Sequence, residues 1–144
     1  MAILRSAIAL SLLVIVLVAA CQPEGQAFKT TLRTESINPL PVTVTDETTL
    51  VTGITQAAVN PATTGNDPAV RADQDDPNGL VLTWLGGACD QDAAVWFGLL
   101  NGGYVLNVSV HGSAADCPAS AVPRAIRIAT SRPIPVDSIT VAGG

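Results

Sequence analysis

The sequence predicts an all-β protein, on three observations. From Tyr104 to Val110 the chain alternates, with Tyr104, Leu106, Val108 and Val110 in one phase and Val105, Asn107 and Ser109 in the other. A period of two marks a strand with one covered face. Two β-rich runs flank Asn101-Gly102-Gly103, and Asn-Gly tolerates the positive φ angles that a tight hairpin turn needs. Beyond residue 21 no apolar pattern repeats at helical spacing.

Taken in order, the elements begin weakly and sharpen. Leu40-Pro41-Val42-Thr43-Val44-Thr45 alternates. Pro39 and Pro41 lack the N–H that a central strand donates, so an edge strand is expected there. Leu50-Val51-Thr52-Gly53-Ile54 predicts a second edge strand. Pro61 to Asn78 is rich in Pro, Gly, Asn and Asp, the composition of loops and linkers. Residues 21–78 are therefore expected to form a mostly disordered tether carrying two candidate edge strands.

The folded part is expected at residues 79–144. Leu80–Leu85 is a β-rich run closed by Gly86-Gly87, and Ala93–Leu100 leads into the Asn-Gly turn. After the strand from Tyr104 and a loop from His111 to Pro123, Arg124–Thr130 alternates again. Ile126 and Ile128 fall in the core phase, and Arg127 points to solvent or a carboxylate. Pro133 and Pro135 break that run before a last strand at Val136–Val141. Trp84, Trp96 and Phe97 are expected to supply the bulk of the core. Five strands give a small antiparallel meander; with the two upstream strands, seven fit an immunoglobulin-like sandwich. The immunoglobulin order of cysteine, tryptophan, cysteine is not matched, because Trp84 precedes Cys89.

Ahead of all this stands Met1–Cys21: a single cation, Arg5, then an apolar run, then small residues against a cysteine. That is the three-part layout of an export signal. Val18-Ala19-Ala20-Cys21 resembles the lipobox of bacterial lipoproteins. The resemblance implies that residues 1–20 form a cleaved signal helix and that Cys21 is lipidated. Cys21 would then be the new N-terminus, held to a membrane by acyl chains; two or more chains anchor far better than one. Two other readings stay open, an uncut membrane helix and an ordinary secretory signal. Against the first, the run from Ala7 to Ala20 is shorter than the roughly 20 apolar residues a span needs, and Ser11 interrupts it. Gln22, which is not aspartate, points to the outer membrane in a host that has two.

The chain has three cysteines, and an odd count in an exported protein calls for an explanation. If Cys21 carries lipid, Cys89 and Cys117 remain as a pair in a compartment where disulfides persist. Such a bond would support a domain of roughly 65 residues, small enough to bury limited surface. Gly86-Gly87-Ala88-Cys89-Asp90, together with Cys117-Pro118 and the run from Arg124, resembles small uncharacterised domains of exported bacterial proteins. That resemblance implies no activity.

Charge narrows the partners. The formal net charge is −5, and removing the single charge of Arg5 leaves −6. With one lysine, Lys29, there is no basic patch to neutralise phosphates, so no nucleic-acid partner is expected. Attachment to anionic lipid by charge is equally disfavoured, and membrane binding must come through lipid on Cys21.

Chemistry-bearing residues are sparse. His111 is the single histidine, expected exposed at a strand end beside Asp116. Asp90 and Asp92 form a spaced carboxylate pair, and residues two apart on a strand point the same way. Two carboxylates flanking a bond could hydrolyse a glycoside, yet Asp is equally favoured in a turn after Gly86-Gly87. Asp67, Asp73, Asp75 and Asp76 fail a calcium-loop test: counting from Asp73, the sixth position is Asn78 instead of glycine and the twelfth Trp84 instead of glutamate. They are expected in a solvated linker. No catalytic residues, cofactor or metal are therefore expected. The reading is a non-catalytic binding or structural module of the cell envelope, facing outside the cytoplasm, with an envelope protein or glycan as partner. The alternative is a substrate-capturing accessory subunit of a membrane complex, which needs a concave aromatic-lined pocket.

Overall fold

The computed structural model describes residues 28–34, 39–61, 64–112 and 116–143. They form nine strands: β1 (Phe28–Arg33), β2 (Pro41–Asp46), β3 (Val51–Gln56), β4 (Ala69–Ala72), β5 (Gly79–Gly87), β6 (Asp90–Leu100), β7 (Gly103–Gly112), β8 (Ala121–Thr130) and β9 (Ile139–Gly143). One 3-10 turn, Val136–Ser138, precedes β9. Two sheets face each other, one of five strands in the order β1-β2-β6-β7-β9 and one of four in the order β3-β8-β5-β4. The all-β expectation holds, as a sandwich. A simple antiparallel meander does not, because β2 runs parallel to β6 and β9 parallel to β7.

Alternation builds the core. Val42, Val44, Val95, Phe97, Leu106 and Val108 point inward from the five-stranded sheet. Leu80, Leu82, Trp84, Ile126 and Ile128 meet them from the four-stranded one. Phe97 and Tyr104 stack with ring centroids 5.6 Å apart. Each large apolar side chain fully withdrawn from water contributes about 1.5–3 kcal/mol. The β6–β7 hairpin closes through Asn101 and Gly102, both with positive φ (53° and 82°), as the Asn-Gly pair predicts.

Four expectations are corrected. First, the division at 78/79 does not bound the sandwich: β1 to β4, within the expected tether, pair into both sheets. β2 and β3 coincide with the two candidate edge segments, whereas β1 and β4 have no counterpart in the expectation. Secondly, β2 is an inner strand between β1 and β6. Pro41 is its first residue and pairs only on the β1 side, while the β6 ladder starts at Val42. A proline at a strand's first position removes no bond from the ladder beyond it.

Thirdly, Trp84 and Phe97 are buried but Trp96 is not a core residue; it lies on the outer face of the five-stranded sheet, in the opposite phase to Val95 and Phe97. Fourthly, Asp73 is not solvated. Its side chain is 3% exposed and pairs with the Arg127 guanidinium on β8, which also reaches Asp75 at 3.2 Å. The expected signal segment 1–20, Cys21 and residues 22–27 lie outside the described residues. No helix among the described residues is long and apolar enough to cross a membrane.

Candidate functional site

The outer face of the five-stranded sheet carries the most functional chemistry among the described residues. On β6 the outward phase is Asp92, Ala94, Trp96 and Gly98; on β7 it is Asn107, Ser109 and His111. β2 adds Thr45, paired with Trp96, and the chain beyond its end adds Glu47. Trp96 leans towards Gly98. A Cβ at Gly98 would lie 2.1 Å from two indole carbons, so glycine is what lets the ring lie over the backbone there.

Because the ring leans one way and Ala94 and Ser109 are small, a shallow depression of about 340 Å³ opens on the other side. Thr45, Glu47, Ala94, Trp96, Asn107 and Ser109 line it. One apolar ring, one carboxylate, one amide and two hydroxyls could hold a polar ligand with a flat apolar face, by stacking and hydrogen bonds.

One step along the same face, His111 Nδ1 lies 2.7 Å from Asp92 Oδ1. Their side chains are 64% and 53% exposed, so the pair is a surface contact of small energetic weight. Ser109 shares the face, and the imidazole hydrogen-bonds to Asp92.

Asp90 does not join Asp92. A register shift between them breaks the alternation, and the Asp90 carboxylate accepts the Gly87 N–H at 2.6 Å instead. It stabilises the turn, and its charge also faces Arg124. That guanidinium, buried opposite Trp84 on the inner face of β8, is held below its ordinary range by burial, with the Asp90 charge acting against the shift. The two carboxylates thus diverge, and paired glycosidase geometry is absent from this turn.

Cys89 and Cys117 are joined by a disulfide. Cys89 lies in the β5–β6 turn and Cys117 in the β7–β8 loop, the two connections that cross between the sheets at this end. No group of three or more His, Cys, Asp or Glu side chains able to hold a metal occurs among the described residues.

Sequence reasoning missed two of these features. Trp96 is out of phase with its buried neighbours, and that offset could have placed it on the open face. Asp46 left no such signal: it is fully buried and accepts the Thr48 and Val51 N–H groups at 2.7 and 2.9 Å, fixing the β2–β3 turn. Comparison with protein-family models, curated proteins and solved structures finds no match.

Proposed function

We propose that this chain is an exported bacterial lipoprotein, anchored by acyl chains on Cys21. Its sandwich serves as a non-catalytic binding module of the cell envelope. The observation that carries this reading is the cysteine pairing. With Cys89 and Cys117 joined, Cys21 is the one cysteine left over, and it stands where the lipobox-like signal ends. A disulfide also fits an oxidising compartment outside the cytoplasm. The depression beside Trp96 supports binding as the role. It offers a stacking surface and hydrogen-bonding groups for an envelope glycan or protein. Its one aromatic wall also lends some support to the second reading, substrate capture for a membrane complex.

The test is the intact mass of the protein from its native membrane fraction, before and after reduction. The expected mass is that of Cys21–Gly144 plus acyl chains, rising by about two mass units, one hydrogen per sulfur, when the disulfide is reduced. An unacylated chain, or one starting at another residue, would remove the lipoprotein reading.

A further inference from the structure

We propose that the β6–β7 hairpin tip is a lipid-contacting element, which the anchor presses against a zwitterionic membrane surface through Leu99 and Leu100. The inference rests on the acyl anchor proposed above and adds the orientation of the domain on the bilayer. Leu99 and Leu100 are 58% and 59% exposed, the most exposed of the large apolar side chains among the described residues. They are consecutive, so one leaves each face of β6, and the two together form an apolar cap at the end of the hairpin. Asn101, Gly102 and Gly103 follow, and the tip therefore carries no charge.

Register decides which way this cap points. Phe28, the first residue of β1, pairs with Asp46; Asp46 pairs with Phe97. The strand that leads back to Cys21 thus starts level with Phe97, at the hairpin-tip end of the sheet. Leu99 and Leu100 lie two and three residues further out, about 7–10 Å beyond that level at the rise of a strand. Only six residues, 22–27, separate Cys21 from Phe28, and seven Cα steps span at most about 25 Å. An acyl anchor on so short a lead holds this end of the sandwich at the membrane, with the two leucines foremost.

The surroundings select the lipid. Tyr104 lies directly across from Leu99, and its hydroxyl oxygen accepts a 2.6 Å bond from Arg132. A tyrosine and an arginine behind an apolar tip match the headgroup layer, where amphipathic side chains are favoured. The same end carries Glu47, Asp75, Asp76 and Asp137 in its loops. Lys29 and Arg132 lie at this end too, and Asp75 is paired with Arg127. The acids still outnumber the cations, which disfavours an anionic surface relative to a zwitterionic one.

The experiment places an environment-sensitive fluorophore at Leu100→Cys in the acylated chain, reconstituted into phosphatidylcholine vesicles. The same label at Asn66→Cys, on the exposed β3–β4 loop, is the reference. The expected result is at least a two-fold higher emission for the Leu100 label than for the reference, and selective quenching by lipids brominated in their acyl chains. Adding Leu99→Asp should bring that quenching down to the reference level. Equal quenching at both positions in a chain whose mass confirms acylation would overturn the orientation alone. A mass without acyl chains would overturn the lipoprotein reading, and this proposal with it.

Discussion

Asp73 shows how far a residue can depart from its sequence neighbourhood. It opens the polar run Asp73-Gln74-Asp75-Asp76-Pro77-Asn78, yet its carboxylate is buried against Arg127, 54 positions away. A buried charge is tolerated only when paired and hydrogen-bonded. Arg127→Met keeps an apolar stem but leaves that carboxylate without its cation. It is expected to lower stability by about 1–3 kcal/mol, read as a lower urea midpoint. Asp75→Asn, at a side chain 81% exposed, should move the midpoint by no more than about 0.5 kcal/mol. Equal midpoints for Arg127→Met and the parent would mean the pair does not support the fold.

At the scale of the element, β6 illustrates both what periodicity reveals and what it hides. In the structure Val95 and Phe97 are buried and Trp96, in the opposite phase, is not, although bulk alone placed Trp96 and Phe97 together in the core. The lean of Trp96 over Gly98 is a contact between side chain and backbone that no hydropathy pattern records. Gly98→Val would put a branched side chain where the indole now lies and lift the ring away from the sheet. In a Trp84→Phe background, which silences the buried indole, the emission of Trp96 should shift to longer wavelength. Any ligand stacked on the ring should bind more weakly. An unshifted spectrum would show that the ring does not depend on the glycine. β2 teaches the complementary lesson: proline at its first position was compatible with an inner strand because only the ladder beyond it needs donors.

For the whole molecule, the disulfide matters because of where it lies. It joins the β5–β6 and β7–β8 connections, which both cross between the sheets at one end, and closes a loop over a separation of 28 residues. By chain-entropy reasoning such a closure contributes about 3–4 kcal/mol, a large share of the stability of a small domain. Reduction is expected to lower the urea midpoint by a corresponding amount while the strand signal in circular dichroism persists below the transition. A midpoint indifferent to reductant would remove the disulfide from the account of stability.

By itself the sequence determined the fold class and the strands from β5 to β8. The runs of β7 and β8 alternate with the period of the pleat, those of β5 and β6 are β-rich and bounded by glycine turns, and an Asn-Gly pair marks the central turn. It also exposed the phase of His111 and the core positions of Ile126 and Ile128, because a strand's two faces are written in every second residue. Only the tertiary structure decided that β1 to β4 belong to the sandwich. Short strands rich in threonine become stable through partners distant in the chain, and pairing energy of that kind has no local signature. The same reason holds for the candidate site. The depression exists because β2, β6 and β7 are neighbours in one sheet, and the divergence of Asp90 from Asp92 follows from a register shift. Which end of the molecule holds both Phe28 and the leucine tip is likewise a matter of register, which is set between strands and not within them.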